Sequence, residues 1–374
     1  MMSDPEYASF SHARLDPAGR RALRTKLIIR AAKVCTASFL RQRGEEIARA
    51  SSGLVDVLLA WFQSEGMIDE AMRLPLALPM LKQAEADPVW VAALSAAYLN
   101  TQGRDGEWHA AFAHPASVAF GSRATPLAQR ISVSARAGRV KIRLDGEMAI
   151  DASALPDCTP MTSIGGTRVP ILSVKTQATF PIDDSAGFAD VPALEIVDTL
   201  DKAASILGSY APDYLDWVEP ALFAVVPVPR PAVEATQSFS IQGLNGIVFA
   251  SFPSPVLKMA ELLVHECSHQ YFHYGQLDTL FSNGMDTASY WSPYVQKDRP
   301  IDRILVAFHA FANIVLFYRA CLSAGMNQDR QSIDRTIEFH LHNLDPMSGY
   351  LEHSPGLSQA GRALFKPLLE ELFR

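Results

Sequence analysis

Cysteine is scarce in this chain, and no two cysteines are spaced for a metal site. The sequence has 374 residues and four cysteines without a CxxC pair, at Cys35, Cys158, Cys267 and Cys321. Thiolate zinc sites need closely spaced pairs, and disulfide-stapled domains need a dense framework, so both classes are excluded. We expect a cytoplasmic protein.

An excess of basic residues is also lacking. The formal net charge is −7 and the pI is about 5.8. Binding to phosphate backbones needs clustered lysine and arginine, so we expect no nucleic-acid partner.

No apolar run matches a membrane span or a secretory signal. The most apolar stretch, residues 304–318, is too short for a bilayer and contains His309 and Asn313. The first residues carry acidic side chains and lack the apolar core of a signal peptide, so we expect neither export nor a membrane partner. Residues 304–318 are predicted to form a buried helix.

The remaining composition is that of a folded globular protein. Hydrophobic residues make up 48% and charged residues 20% of the chain. The patterning predicts an α+β fold, mainly helical, in three parts: a helical N-terminal region (1–117), a region of central antiparallel strands and a helix (118–250), and a helical metal-binding region (251–374). The second and third parts also suit one continuous catalytic domain, and no feature indicates an oligomeric state.

Local signals fix several expected boundaries. Apolar residues at helical spacing fill residues 21–100 with a break at Gly66, and Asp145-Gly146 between alternating runs predicts a hairpin. The later segments predict a helix over 191–207, strands with a turn at Asn245-Gly246, and a helix from Pro255 to His273. For that last helix we expect Ser254 as N-cap and Gly275 as the stop. Pro300 opens another helix to Leu322, and two more follow.

The chemistry is indicated by an HExxH sequence inside the 255–273 helix. His265 and His269 are four residues apart, so on an α-helix both imidazoles project from one face and can chelate one ion. Imidazole suits several first-row transition metals and does not choose among them. Glu266 lies beside the pair, while Cys267 faces away from it. The alternative is a helix with two polar core histidines. Burying imidazoles without hydrogen-bond partners costs free energy, because the rings lose their hydrogen bonds to water.

A catalytic ion takes a third protein ligand, and His309 is the best candidate. It is a lone imidazole in an otherwise apolar helix, a position that also suits a hydrogen-bonded core histidine. His273 continues the motif stripe and is expected to support a metal ligand or to lie on the surface. The competing oxygen ligands are Glu261, Asp278, Asp286, Asp298 and Glu338.

Two arginines flank the start of the His309 helix. Either Arg299 or Arg303 could clamp a carboxylate bidentately near the metal. We favour Arg303, because it lies six residues before His309, nearly two turns away on the same helix.

The segment from Gly246 to Tyr318 resembles the HExxH-domain proteins of ribosomal peptide maturation clusters. The resemblance is carried by Ser254-Pro255, the HECSHQ core, Trp291-Ser292-Pro293, Asp298-Arg299-Pro300 and His309. It implies an oxygenase that uses Fe(II) and 2-oxoglutarate to hydroxylate the β-carbon of residues in a precursor peptide. By that resemblance His265, His269 and His309 bind iron and Arg299 or Arg303 binds 2-oxoglutarate.

Two other functions suit the same residues. In a zinc metallopeptidase Glu266 is the general base that activates a zinc-bound water, although the extended metzincin pattern is absent. In an oxygenase Glu266 instead orients water or a ligand histidine through a hydrogen bond. A non-catalytic peptide-binding protein with a structural metal is disfavoured, because structural sites close all four positions and no cysteine pair is present.

Overall fold

The computed structural model describes residues 4–63, 88–101, 103, 105–116, 118–120, 123–155, 160–172, 189–230, 236–242 and 245–374. The chain divides into two compact units. One comprises Met1–Leu27, Thr162–Val169 and Ala189–Arg374, and the other Ile28–Met161 and Pro170–Phe188. These limits differ from the predicted boundaries at 117/118 and 250/251. Cys158 and the expected break at Gly66 lie outside the described residues.

The unit of residues 28–161 and 170–188 combines helices with an antiparallel sheet. Its helices are most of α1 (Pro17–Ala50), α2 (Leu54–Gln63) and α3 (Pro88–Thr101). Its main sheet has the order β1-β2-β5-β6-β7, from the strands Ser51–Ser52, Gly106–Ala116, Ala128–Arg136, Arg139–Leu144 and Ile150–Asp151. A separate two-stranded sheet pairs β3 (Ala119–Phe120) with β4 (Arg123–Ala124). Alternate residues of β5 are buried, because successive side chains of a strand point to opposite faces. The predicted antiparallel strands are confirmed, although β2 begins within the region predicted to be helical.

The turn at Asp145-Gly146 is confirmed. Both residues have positive φ, 46° and 89°, and the Glu147 amide closes the turn by donating to the Leu144 carbonyl at 2.8 Å. Asp145 also accepts a hydrogen bond from the Arg130 amide at 2.8 Å.

The other unit is mainly helical and carries the HExxH sequence. Its helices are α4 (Ala193–Tyr210), α5 (Pro212–Ala221), α6 (Val256–Gln276), α7 (Ile301–Ser323), α8 (Arg330–His353) and α9 (Gln359–Leu372). They accompany a three-stranded sheet of order β10-β12-β11, from Ala224–Pro229, Ile247–Phe252 and Ser238–Phe239. The pair β10 and β12 is parallel, whereas β11 runs antiparallel to β12. The hairpins β8 (Met161–Ile164) with β9 (Thr167–Pro170) and β13 (Tyr290–Ser292) with β14 (Lys297–Arg299) complete the strands described.

The motif helix α6 is buried along most of its length and fixed by side-chain hydrogen bonds. The Gln270 amide accepts from Gly246 N at 2.7 Å and donates to the Ile247 carbonyl at 3.1 Å, which ties α6 to the start of β12. Tyr271 donates to the Trp217 carbonyl at 2.9 Å. These bonds hold the helix against both the sheet and α5.

Two predicted boundaries of α6 are wrong. Pro255, not Ser254, occupies the N-cap position, and the Ser254 hydroxyl instead donates to the Ser251 carbonyl at 2.5 Å. Gly275 does not stop the helix, which continues to Gln276. A side chain at Gly275 would meet the Phe281 ring, so the glycine serves close packing.

The apolar helix predicted after Pro300 is confirmed as α7. By length and composition alone it could cross a membrane, but 72% of its most apolar stretch is buried inside the protein. The core helix of a globular protein has the same properties, which agrees with the predicted buried helix. The fold is α+β and mainly helical, as predicted.

Candidate metal centre

The two motif histidines converge on one point. Their Nε2 atoms lie 3.1 Å apart and their ring planes are nearly perpendicular, at 84°. Two nitrogens bound to one ion at about 2.0–2.1 Å are separated by about 2.9–3.4 Å at angles between roughly 90° and 109°. The observed spacing therefore fits a single shared ion.

Both imidazoles are neutral around pH 7. Burial, reinforced by the charges of Lys258 and His340, lowers the pKa of His265 to about 3. Burial also lowers the pKa of His269 well below its usual value. Metal binding needs the unprotonated ring, so both lone pairs are available for an ion.

Glu266 is fully buried, and hydroxyl groups bind both of its carboxylate oxygens. Ser238 donates to Oε1 at 2.6 Å and Ser240 donates to Oε2 at 2.7 Å. Burial raises the pKa of Glu266 to about 7, although the two hydrogen bonds oppose that rise. The carboxyl group is thus fixed in orientation by the edge strand β11 and the residue after it.

Among the described residues, His265, Glu266 and His269 are the group whose ligand atoms lie close enough to hold an ion. The His265 Nε2 to Glu266 Oε1 distance is 3.9 Å, longer than the spacing of the two imidazoles. Glu266 is therefore better placed to act beside the ion than to bind it. A pair of imidazoles leaves several coordination positions for small molecules, as catalytic sites do.

His309 does not join this group. It is fully buried, and its Nε2 donates to the Phe10 carbonyl at 2.7 Å, while its ring lies 6.0 Å from that of Trp217. Burial lowers its pKa to about 4. Its Nε2 is engaged by the N-terminal segment, whereas its Nδ1 is buried without a hydrogen-bond partner among the described residues. A metal-bound histidine also donates its other ring nitrogen to a carbonyl, so the ligand role of His309 stays a prediction.

The two predicted arginines differ in their relation to the pair. The His265 ring on α6 lies 4.8 Å from the Phe311 ring on α7. Two turns after His265, His273 has its pKa lowered by burial and by the charge of Arg303, which lies before Phe311, so the two helices run antiparallel. Arg303 therefore lies at the same end of α6 as His273. Arg299, in β14, is half-buried and its Nε has no hydrogen-bond partner in the described chain.

The competing oxygen ligands are engaged elsewhere or exposed. Glu261 accepts from the Tyr318 hydroxyl at 2.6 Å and pairs with Lys258 at 2.5 Å. Asp278 accepts from Tyr7 and Asp286 accepts from Tyr290, both in hydrogen bonds. Asp298 and Glu338 are exposed.

The remaining motif residues take supporting positions. His273 is half-buried one turn beyond His269 and is absent from the three-residue group, as expected. The Cys267 thiol is buried, faces the Val218 carbonyl at 3.9 Å, and has its pKa raised by burial. The sulfur thus faces α5, and the expectation that it does not contact the ion stays a prediction.

Several neighbours of the pair were not predicted. The two serines that bind Glu266 belong to a short polar run with no motif of its own. His340 is buried on α8, where its Nδ1 meets the Tyr294 hydroxyl at 3.1 Å and its ring lies 5.1 Å from the Phe311 ring. The Phe311 ring contacts the rings of both His265 and His340. A mixed polar helix sequence gives no signal for such a contact.

Two comparisons with known proteins found no match. No protein-family model matches the chain, and no curated protein matches it. The resemblance of residues 246–318 to the HExxH-domain proteins therefore stays a prediction.

Proposed function

We propose that this protein is an Fe(II)- and 2-oxoglutarate-dependent oxygenase that hydroxylates the β-carbon of residues in a ribosomally made precursor peptide. His265 and His269 would hold the ion. When bound, Fe(II) supplies the redox chemistry that couples oxidative decarboxylation of 2-oxoglutarate by O₂ to hydroxylation of the peptide. The 3.1 Å separation of the two Nε2 atoms carries the proposal.

The surroundings of Glu266 favour an oxygenase over a hydrolase. A general base must reach the water it deprotonates, yet Glu266 is 0% exposed and each of its oxygens already accepts a serine hydrogen bond. A carboxyl group held in this way suits a residue that orients its neighbours through hydrogen bonds. The ligand set would then be completed by the co-substrate and other small molecules.

Arg303 is the better of the two candidates for binding 2-oxoglutarate. It is 57% exposed in its side chain, and its near neighbour Asp302 is 3.9 Å away, too far for a tight ion pair. Its charge acts on His273, which continues the stripe of His265 and His269. A guanidinium at this position can exchange a weak surface pair for a bidentate carboxylate.

The edge strand β11 supports a peptide substrate. It lies at one end of the order β10-β12-β11 in the described sheet, and its Ser238 contacts Glu266 directly. An extended peptide can add to such an edge through main-chain hydrogen bonds. Its side chains would then pass close to the motif helix.

The second candidate is a zinc metallopeptidase, which the pKa of Glu266 favours. A carboxyl group whose pKa is about 7 is suited to accept a proton at neutral pH. Replacement by glutamine separates the two functions. Glu266→Gln should abolish nearly all activity of a peptidase and leave measurable activity in an oxygenase.

The direct test uses anaerobic protein reconstituted with Fe(II). Addition of 2-oxoglutarate should produce a weak visible charge-transfer band, and admission of O₂ should then release succinate. No band and no succinate, together with zinc-dependent cleavage of peptides, would instead establish the peptidase.

A further inference from the structure

The guanidinium of Arg20, in the first turn of α1, is fully buried and pairs with none of the described carboxylates. Its Nη1 donates to the Ala13 carbonyl at 2.8 Å, whereas its Nε and Nη2 have no hydrogen-bond partner in the described part of the chain. No carboxylate of the described residues lies within ion-pair distance of it. The edge formed by Nε and Nη2 is the edge with which arginine binds an anion bidentately.

Aromatic rings surround this guanidinium. Its central carbon lies 4.8 Å from the ring centre of Trp217 and 5.8 Å from that of Tyr271. The two rings contact each other at 4.2 Å, and Phe10 packs on Tyr271 at 5.1 Å. Because the guanidinium is fully buried among these rings, a ligand at Nε and Nη2 would have to be small.

Ring contacts alone do not compensate for the buried charge. A desolvated cation–π contact contributes about 2 kcal/mol, whereas removing a cation from water costs several kcal/mol even after relaxation. The guanidinium remains protonated inside proteins, so it cannot escape the penalty by losing its proton. A negative charge at the open edge would offset it.

Two further buried polar groups of the same unit are donors that lack an acceptor. The indole Nε1 of Trp217 and the hydroxyl of Ser11 are buried without a hydrogen-bond partner in the described residues. Indole can only donate. A water molecule would accept two of these hydrogen bonds but would leave the positive charge uncompensated.

We propose that Arg20 and Trp217 form a buried binding site for a small monovalent inorganic anion of the size of chloride. The anion accepts hydrogen bonds from Nε and Nη2 of Arg20. The site is independent of the proposed oxygenase chemistry, because none of its residues belongs to the metal centre.

Anion binding would stabilise the N-terminal segment against the metal-binding helix. Arg20 holds the carbonyl of Ala13 and contacts Tyr271 on α6, while Phe10 in the same segment receives the His309 hydrogen bond. Loss of the anion would therefore loosen residues 10–20 from α6. The expected consequence is a chloride-dependent stability of the whole unit.

Crystals grown in bromide test the site directly in the wild-type protein. Anomalous scattering should reveal bromide within hydrogen-bonding distance of Nε and Nη2 of Arg20. Thermal unfolding in chloride, compared with gluconate at the same ionic strength, should show a midpoint that rises with chloride and saturates. Absence of the bromide peak, or equal midpoints in the two salts, would overturn the proposal; a peak without chloride stabilisation marks an adventitious ion only.

Two variants assign the chloride effect to this arginine. Arg20→Met should lose the saturable rise in unfolding midpoint. Its exposed neighbour Arg21, which pairs with Asp216 at 3.1 Å, supplies the matched control, and Arg21→Met should keep the full chloride response. If Arg20→Met does not fold, the wild-type bromide map and salt comparison still decide the matter. An unchanged chloride response in a folded Arg20→Met protein would contradict the proposal.

Discussion

The Nε2 atom of His309 donates a hydrogen bond to the carbonyl oxygen of Phe10 at 2.7 Å, across 299 residues of sequence. The bond joins the N-terminal segment to α7, and Asn313 one turn later donates to the Ser11 carbonyl at 3.0 Å. His309 and Asn313 are thus polar side chains of the most apolar helix that bind carbonyl groups of the N-terminal segment. His309 thus fixes the N-terminal segment, and it lies outside the group of close ligand atoms formed by His265, Glu266 and His269.

Replacing His309 by leucine should therefore destabilise the protein without removing its metal. The buried Phe10 carbonyl would lose its partner, which costs about 1–3 kcal/mol in unfolding free energy. Chemical denaturation measures that loss, and elemental analysis measures the metal. The exposed His342 provides a control, since His342→Leu should change neither quantity. Loss of the metal in a folded His309→Leu protein would restore His309 as a ligand.

The two motif histidines should show the opposite behaviour. His265→Ala and His269→Ala should each weaken metal binding by more than the roughly 10–100-fold loss typical of a residue that only supports a ligand. His273→Ala, one turn further along the same stripe, should bind the metal within a few-fold of wild type. Metal titration of the three purified variants makes the comparison. Equal affinity in all three would show that the ion binds elsewhere.

The pKa of Glu266 makes a prediction about the pH dependence of stability. This acid has its pKa raised from 4.5 to about 7 by burial, so between these values the folded protein retains a proton that the unfolded chain has lost. The unfolding free energy should therefore fall as pH rises from about 4.5 to 7, by roughly 3 kcal/mol at most from this group.

Glu266→Gln should lack that contribution. Its stability relative to the metal-free wild type should increase with pH across this window, as measured by chemical denaturation at several pH values. The glutamine amide can still hydrogen-bond to Ser238 and Ser240, so the comparison isolates the charge. A constant difference between the two proteins from pH 4.5 to 7 would show that Glu266 titrates at its ordinary value.

The arginine near His273 should affect the co-substrate and not the metal. Arg303→Met should raise the concentration of 2-oxoglutarate needed for half-maximal succinate release by roughly tenfold to a hundredfold, because a hydrogen bond to a charged group contributes about 1.5–3 kcal/mol. Fe(II) affinity should stay unchanged. Arg299→Met is the paired comparison, and a larger effect there would assign the carboxylate to Arg299.

The sequence predicted the parts of this molecule that depend on local pattern. The helical spacing of His265 and His269, the apolar run of α7 and the Asp145-Gly146 turn are each specified by neighbouring residues. These features agree with the structure because periodicity and turn chemistry are properties of short segments.

Long-range contacts could not be predicted in the same way. The apolar surroundings of His309 suit a metal ligand and a core hydrogen bond equally, and no local pattern indicates its bond to Phe10, far away in sequence. Likewise, no motif marks Ser238 and Ser240 as partners of Glu266. The parallel pairing of β10 with β12 also depends on tertiary packing, since a strand sequence does not specify its neighbour's direction.

A crystal structure of the protein loaded anaerobically with Fe(II) tests the shared-ion arrangement most directly. Anomalous scattering at the iron edge should show one ion about 2.0–2.2 Å from the Nε2 atoms of both His265 and His269. An iron site that excludes either histidine, or crystals in which the two rings remain hydrogen-bonded to each other at saturating Fe(II), would contradict the account.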